Sequence, residues 1–295
     1  MDFIRSAIEK ARTERSQRNP QAAGRPETSA LPEAEPAAED PQARRDALWA
    51  GLTEFSPDAR RLRRQRLYAK TSGGEAASFD IMRTKLLHQM RSNNWRRVAV
   101  TSPTPACGKT TLSLNLALSL GRQPDLRTML VEFDMRRPSM AGLLRLPMEH
   151  QFSQVLEGTA QAEAHLARIG SNLAVGTNRA AAANSAELLQ KVETGQIMDR
   201  VELAFGPDVM IFDMPPMLAT DDTLAFIDQI DCVMLIAAAG SSTMAEISRC
   251  AEDLSARCNF LGVILNKCRY LDSGDAYGYG YGYGYGGYGG YGPRS

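Results

Sequence analysis

Short apolar runs alternate with longer helical stretches from about residue 75 onward. We predict a helix over Phe79–Met90 and a second one in the stretch LSLNLALSL, residues 112–120. Short, nearly continuous apolar strands between helices are typical of a parallel sheet that is covered on both faces. The pattern therefore predicts an α/β fold with a mostly parallel sheet flanked by helices. Its strands are predicted at Val98–Thr101, Thr128–Phe133, Leu173–Gly176, Val209–Asp213, Cys232–Ala237 and Leu261–Leu265.

The segment before this domain has three different patterns. Apolar residues recur at helical spacing in residues 1–16, which predicts a short amphipathic helix that either docks a partner or frays. Residues 17–46 hold five prolines, many alanines and scattered acids, so we expect a disordered linker. Residues 47–74 are a basic connecting segment, in which residues 60–70 carry arginines without an acid. Such a run is either a solvated helix face or a surface that attracts an anionic membrane or an acidic partner.

The C-terminal segment, residues 273–295, follows the predicted α/β domain at 75–272 and ends in a Tyr–Gly repeat. Glycine at nearly every second position prevents a packed core and keeps the backbone flexible. We therefore expect its tyrosines to be exposed and accessible. They are Tyr277, Tyr279, Tyr281, Tyr283, Tyr285, Tyr288 and Tyr291.

Composition narrows the class of protein only a little. The 295 residues are 43% hydrophobic, which supports a real core, and the formal net charge is zero. That charge gives no argument for nucleic-acid binding, and we expect no nucleic-acid partner. No apolar run approaches the roughly 18–20 residues that span a bilayer, and the N-terminus lacks a signal-peptide pattern. We therefore expect a cytoplasmic protein with no transmembrane segment, whose five cysteines are reduced.

Residues 98–111, VAVTSPTPACGKTT, carry the strongest chemical signal. A strand, a turn-rich loop and a helix in this order place backbone N–H groups and a helix N-terminus around an anion. Lys109 adds a positive charge for phosphates, and the hydroxyl of Thr110 is placed to hold Mg²⁺. Pro103 occupies the first Gly position of the strict pattern GxxxxGK[ST], so we predict a variant Walker A motif. The predicted nucleotide contacts are Thr104, Pro105, Ala106, Cys107, Gly108, Lys109, Thr110 and Thr111.

Two further strands end in an acid, at Asp134 in LVEFDMRRP and at Asp213 in MIFDMPP. Phosphoryl transfer needs Mg²⁺ across phosphate oxygens, held by a hydroxyl and an acid. It also benefits from a second carboxylate, either as a base or as a metal organiser. We predict that Lys109, Asp134 and Asp213 are catalytic, and that Thr110, Asp134 and Asp213 hold the metal. A single strand-end Asp is commonly a helix N-cap, but two beside a P-loop are poorly explained in that way.

The three motifs together resemble the bacterial protein-tyrosine kinases (BY-kinases) of capsule and exopolysaccharide synthesis. These are P-loop NTPases of the MinD-like (SIMIBI) class, and the similarity covers roughly residues 75–295. Segments 152–158 (FSQVLEG), 185–189 (SAELL) and 261–266 (LGVILN) also resemble segments of that family. The resemblance implies a P-loop kinase domain over 75–272 and an autophosphorylation tail over 273–295. It also implies ATP and Mg²⁺ as cofactors.

The resemblance also implies roles for individual residues and partners for the chain. It implies that Lys109 and Thr110 bind phosphate and Mg²⁺, that Asp134 is the catalytic acid and that Asp213 organises the metal. It further implies an adenine contact for Asn266, and a phosphate or acidic neighbour for Arg136 and for the adjacent Arg137. The expected activity is autophosphorylation of the tyrosine tail, with the acceptor coming from a neighbouring subunit. Expected partners are a membrane polysaccharide co-polymerase or adaptor that recruits the chain to the inner face of the plasma membrane, a phosphotyrosine phosphatase and further copies of the chain.

Some residues depart from the family pattern. Glu132 stands where relatives often have Asp, and the extra methylene could displace a carboxylate of the site. Ala77, Asp80 and Arg83 align with an E-x-x-R-x-x-R pattern used for ring assembly, and only the last residue matches. A ring of the family type is therefore doubtful. Cys107 precedes Gly108 where small or acidic residues are usual, and either fills space or acts as a reactive thiol.

Two other functions are compatible with the sequence. One is a MinD/ParA-like ATPase switch that phosphorylates nothing, although Thr104 occupies the position where those relatives usually carry an extra lysine. The other is a non-enzymatic scaffold that associates through its Tyr–Gly tail. The kinase is favoured because the tail supplies an acceptor and that lysine is missing.

Overall fold

The computed structural model of the protein describes residues 40–71, 74–147, 149–182 and 184–268. The amphipathic segment predicted at 1–16, most of the linker predicted at 17–46 and the tail predicted at 273–295 lie outside these residues.

The helices and strands alternate along the chain as the sequence predicts. The strands are β1 (Thr53–Glu54), β2 (Arg97–Thr101), β3 (Thr128–Glu132), β4 (Leu166–Ile169), β5 (Leu173–Gly176), β6 (Val209–Asp213), β7 (Cys232–Ala238) and β8 (Asn259–Asn266). The helices are α1 (Pro41–Gly51), α2 (Ala59–Arg64), α3 (Ala77–Asn93), α4 (Lys109–Leu120), α5 (Met140–Leu144), α6 (Ser153–Leu156), α7 (Ser185–Gln190), α8 (Val192–Phe205), α9 (Asp222–Phe226) and α10 (Met244–Ser255).

Among the described residues the strands form one sheet in the order β1-β4-β5-β3-β6-β2-β7-β8. Every neighbouring pair is parallel except β4 with β5. Successive strand residues enter two buried apolar clusters, one on each face: Met129 and Val131 belong to one, and Leu130 belongs to the other. The predicted α/β fold with a mostly parallel sheet flanked by helices is therefore confirmed. The carboxyl ends of β2, β3 and β6 meet at one edge, where ligands of such sheets bind.

The folded domain begins earlier than the predicted boundary at residue 75. Residues 41–46, predicted as linker, belong to α1, whose N-cap Asp40 accepts a hydrogen bond from the backbone N–H of Gln42. The connecting segment predicted at 47–74 is also part of the domain, because β1 pairs with β4 and the indole of Trp49 donates to the carbonyl of Phe205 at 2.7 Å. The compact unit runs from Asp40 onward.

No helix in the described part of the chain combines the length and the apolar character that crossing a bilayer requires.

Candidate active site

The loop between β2 and α4 has the conformation that a phosphate loop requires. Gly108 caps α4 with a φ of +91°, in the left-handed region that favours glycine. A Cβ added at Gly108 would lie 2.4 Å from Nδ2 of Asn266, so the loop also needs glycine for space. The first backbone N–H groups of α4 therefore face the edge of the sheet where an anion can bind.

Three charged residues from three elements meet beside this helix start. Nζ of Lys109 lies 2.7 Å from Oδ2 of Asp134 and 3.7 Å from Oδ2 of Asp213. The strands β3 and β6 are parallel neighbours, so their ends bring the two carboxylates together. Burial disfavours the charged ammonium, but Asp213 and Asp134 outweigh it and raise the pKa of Lys109. The lysine is therefore held protonated.

The oxygen donors at this point fit a divalent cation. Asp213 is fully buried; its Oδ1 accepts a hydrogen bond from Oγ of Ser113 at 3.1 Å, and its Oδ2 has no hydrogen-bond donor among the described residues. The hydroxyl of Thr110 is 3.4 Å from Nζ of Lys109. Hydroxyl and carboxylate oxygens are the protein ligands that Mg²⁺ prefers. The described residues contain no cluster of three or more His, Cys, Asp or Glu ligands, so phosphate oxygens would have to complete the coordination.

A cavity of about 670 Å³ opens over the loop. Its lining contains most of the predicted nucleotide contacts of the loop, together with Asp134 and Arg136. The sequence analysis did not predict the residues that close its other side. The predicted residues in the lining are Pro105, Ala106, Gly108, Lys109, Thr110, Thr111, Asp134, Arg136 and Arg137; the additional ones are Ser139, Leu143, Pro215, Pro216, Ala219 and Thr220.

Three of the predicted contact residues lie behind the loop instead of in the cavity lining. The side chain of Asn266 donates to the carbonyl of Cys107 at 2.9 Å and thereby ties β8 to the loop. Sγ of Cys107 is buried, 3.5 Å from Oγ of Ser242 and 3.6 Å from Oγ1 of Thr104. Burial raises the pKa of the Cys107 thiol, but these hydrogen bonds outweigh burial and lower it. Asn266, Cys107 and Thr104 therefore stabilise the conformation of the loop without lining the cavity.

The two arginines after Asp134 have different surroundings. Nε of Arg136 lies 3.1 and 3.3 Å from the carboxylate oxygens of the fully buried Asp222, which also accepts a hydrogen bond from Ser185. Arg136 therefore has the acidic neighbour that was one of its two expected contacts. Arg137 is exposed, and its guanidinium has no partner within the described ranges. The sequence analysis missed Asp222 and Ser113, because no local pattern marks either residue as part of a site.

Glu132 does not occupy the cavity. Its carboxylate accepts hydrogen bonds from the backbone N–H groups of Ser139, Met140 and Asn178, at 2.6, 2.8 and 2.9 Å. Burial raises the pKa of Glu132 to about 7, and these three donors oppose the shift. The longer side chain thus holds the loop that follows Asp134 and displaces no carboxylate of the site.

The residues aligned with the ring-assembly pattern are used within the molecule. Asp80 and Arg83 pair at 3.1 Å, and Asp80 also accepts hydrogen bonds from Arg122 and from Ser119 of α4. This network joins α3 to α4. The seven predicted acceptor tyrosines lie outside the described residues.

Comparison with known proteins identifies related chains. No protein-family model matches. Tyrosine-protein kinase CpsD of Streptococcus pneumoniae serotype 4 is 30% identical over 182 residues, covering 61% of this chain and 79% of that protein. Tyrosine-protein kinase YwqD of Bacillus subtilis is 27% identical over 187 residues, covering 63% of this chain and 78% of that protein. Tyrosine-protein kinase etk of Escherichia coli K12 is 29% identical, but the match covers only 25% of its length.

Solved structures agree with these relatives. The kinase domain of the Escherichia coli tyrosine kinase ETK matches with a TM-score of 0.61 and 27% identity, covering 70% of this chain and 80% of that one. The VpsO kinase domain matches with a TM-score of 0.57 and 25% identity, covering 65% of this chain and 96% of that one.

A mostly parallel sheet, a phosphate loop between β2 and α4 and two strand-end carboxylates together define a P-loop NTPase. Within that class, a 30% identical relative matched over 79% of its length shows the family. The chain belongs to the bacterial tyrosine-protein kinases of capsule and exopolysaccharide type, the BY-kinases, and the resemblance seen in the sequence is confirmed.

Proposed function

We propose that this chain binds ATP and Mg²⁺ in the cavity over the P-loop and transfers the γ-phosphate to tyrosines of its own C-terminal tail. The observation that supports this best is the cluster of Lys109, Asp134 and Asp213 at the N-terminus of α4. It combines a protonated lysine, the cavity carboxylate of Asp134 and a row of backbone N–H groups, with the buried carboxylate of Asp213 directly behind the lysine.

The roles of the residues follow from their positions. The first backbone N–H groups of α4 and Nζ of Lys109 bind the β- and γ-phosphates. Asp134 is the cavity carboxylate that can take the proton from a tyrosine hydroxyl. The phenol oxygen then forms a bond to the γ-phosphorus while the bond to the bridging oxygen breaks, and ADP leaves. Mg²⁺, held by Thr110, Asp213 and Asp134, would neutralise charge on the phosphate oxygens.

The arginines after Asp134 complete the proposed phosphate site. Arg136 lines the cavity with its Nε fixed on Asp222, so its position is set before a nucleotide binds. Arg137 lines the same cavity with a guanidinium that has no partner among the described residues. A planar, permanently charged guanidinium is well suited to phosphate oxygens.

The proposed cellular role rests on the family. We propose that phosphorylation of the tail controls the polymerisation or export of an exopolysaccharide, together with a separate membrane co-polymerase that recruits the kinase to the inner face of the membrane. Each phosphotyrosine carries about −1.5 to −2 charges, so several in a short tail repel acidic surfaces and one another. A phosphotyrosine phosphatase would reset the cycle.

Mass spectrometry of the full chain after incubation with Mg·ATP tests the activity. Wild type should gain several phosphates, all on tyrosines within residues 277–291, and Lys109→Met should gain none. Phosphate only on Ser or Thr would contradict the tyrosine specificity. Release of free phosphate without modified protein would instead identify an ATPase switch of the MinD/ParA kind.

A further inference from the structure

Residues 58–70 form an arginine-rich segment, here called the arginine strap, which includes α2. Leu62 and Leu67 of the strap are buried against the core. The side chain of Asn115 in α4 donates to the carbonyl of Arg66 at 2.9 Å. It also accepts from the backbone N–H groups of Tyr68 and Ala69 at 2.8 and 3.1 Å. The strap is therefore fixed to the helix that begins at the P-loop.

The strap presents unpaired positive charge to solvent. Its five arginines are exposed, and within the described ranges only Arg63 forms an ion pair, with Glu75. The acid within the strap, Asp58, accepts from the backbone N–H of Arg61 as the N-cap of α2. Four guanidinium groups thus have no partner among the described residues. They belong to Arg60, Arg61, Arg64 and Arg66.

The root of the C-terminal tail lies near the same helix. Nζ of Lys267, one residue beyond β8, donates to the carbonyl of Ala106 in the P-loop at 2.6 Å. From Lys109 to Asn115 the helix rises about 9 Å, so the contact of the strap with α4 lies less than two helical turns from the P-loop that the tail root contacts. Tyr277 follows Cys268 by nine residues, which span up to about 30 Å when extended. Every tyrosine of the tail can therefore reach the strap of its own chain.

We propose that the arginine strap is a docking surface for the phosphorylated tail, residues 277–291, of the same chain. The proposal rests on the proposed function, because that reaction supplies the phosphates. Each phosphotyrosine offers about −1.5 to −2 charges and three acceptor oxygens, which arginine can bind through two parallel hydrogen bonds. The unmodified segment 273–295 carries a single acidic side chain, Asp275, against Arg294, so it has no comparable attraction. The strap thus recognises the product of the reaction and not the substrate.

Synthetic peptides test the proposal without relying on kinase activity. Peptides of residues 273–295, unmodified or phosphorylated at Tyr279, Tyr281 and Tyr283, are titrated into phosphatase-treated full-length protein, and binding is followed by fluorescence anisotropy. The phosphopeptide should bind, the unmodified peptide should not, and added salt should weaken the complex.

A strap variant and a matched control locate the binding surface. The strap variant combines Arg60→Gln, Arg61→Gln and Arg64→Gln and should weaken phosphopeptide binding about tenfold or more. The control combines Arg200→Gln, Arg249→Gln and Arg257→Gln, which removes the same charge from exposed arginines that form no ion pair with another described residue. It should change the affinity by less than about twofold, the effect expected from net charge alone. Equal thermal unfolding of the two variants shows that both are folded.

Three results would overturn the proposal. One is equal weakening by the strap variant and the control. Another is loss of phosphopeptide binding in Arg137→Gln but not in the strap variant, which would place the peptide in the cavity. The third is a strap variant that keeps the phosphopeptide but no longer binds vesicles of phosphatidylcholine and phosphatidylglycerol, which would make the strap a membrane surface. Because the peptide phosphates are synthetic, failure here leaves the mass-spectrometric test of the kinase unaffected.

Discussion

Gly108 satisfies two requirements of the phosphate loop at a single residue. It provides a φ of +91°, and it leaves room for the Asn266 amide that holds the carbonyl of Cys107. We predict that Gly108→Ala lowers the unfolding free energy by about 1–2 kcal/mol, because an L-residue is strained in the left-handed region. It should also weaken ATP binding, since Asn266 must move away from the loop. Urea unfolding and nucleotide titration measure the two effects.

Gly142 is the matched control for this substitution. It lies inside α5 without a positive φ, and a Cβ added there meets nothing within 4 Å. Gly142→Ala should therefore leave ATP binding unchanged and stabilise the fold by up to about 1 kcal/mol. If both substitutions had the same effect on ATP binding, the conformation of Gly108 would not be the cause.

We expect Asp222 to act at the proposed site through its contact with Arg136. It is fully buried, lies 3.1 Å from Nε of Arg136 and is itself hydrogen-bonded by Ser185. We predict that Asp222→Asn lowers kcat about tenfold or more, because a misplaced guanidinium no longer matches the reacting phosphate. KM for ATP should change less than kcat.

A double-mutant cycle separates this positioning role from a structural one. In an Arg136→Ala background, Asp222→Asn should cause little further loss of kcat, although its effect on thermal stability should persist. Equal losses of kcat in both backgrounds would show that Asp222 does not act through Arg136.

At the scale of whole elements, the sequence predicted those strands whose own residues form an apolar run. All six predicted strands are present. Five of them are buried on both faces and therefore need continuous apolar runs, whereas β8 is a partly exposed edge strand. β1 and β4 were missed for physical reasons. Thr53–Glu54 has no apolar residue at all, and Leu166–Ile169 is interrupted by an arginine. β1 exists through its pairing with the distant β4, which a single sequence does not display, whereas β4 also forms a hairpin with the adjacent β5.

The residues of the site also fall into two groups: those that a contiguous motif predicts, and those that only the folded sheet brings together. The P-loop and the strand-end carboxylates follow from contiguous motifs, so Lys109, Asp134 and Asp213 were predicted together. The contact of Arg136 with Asp222 spans 86 residues, and that of Asn266 with Cys107 spans 159. Such contacts depend on how the sheet orders its strands. No spacing rule in the sequence predicts them.

Asn115 joins the arginine strap to α4 through a side chain that is fully buried. We predict that Asn115→Leu, which keeps the approximate shape, lowers the unfolding free energy by about 2–4 kcal/mol, because the backbone groups of Arg66, Tyr68 and Ala69 lose their partner. Amide hydrogen exchange should show that Tyr68 and Ala69 lose protection first. The exposed Asn93→Leu should change the unfolding free energy by less than about 0.5 kcal/mol. Unchanged protection at Tyr68 and Ala69 would contradict this account of the strap.

At the scale of the whole molecule, subunit contacts of the ring type are poorly supported by α3. Asp80 and Arg83 are engaged with each other, with Arg122 and with Ser119 inside the chain. The remaining aligned residue, Ala77, offers no charge. The transfer between neighbouring subunits that the resemblance implies stays a prediction, and α3 does not offer the charges of the E-x-x-R-x-x-R pattern for it.

Transfer within one molecule is the alternative that the position of the tail root favours. Lys267 contacts the carbonyl of Ala106, and Ala106 lines the cavity. The sequence predicts a flexible, glycine-rich tail, and a short linker of that kind gives an effective concentration of about 1 mM. At protein concentrations of about 0.1–10 μM we therefore expect the chain's own tail to outcompete a second copy. We predict that the rate constant of tail phosphorylation per molecule is independent of protein concentration in this range. Isotope-labelled Lys109→Met, mixed with wild type, should stay largely unphosphorylated while the wild-type tail is loaded. A rate constant that rises in proportion to concentration, with equal labelling of both proteins, would instead establish transfer between molecules.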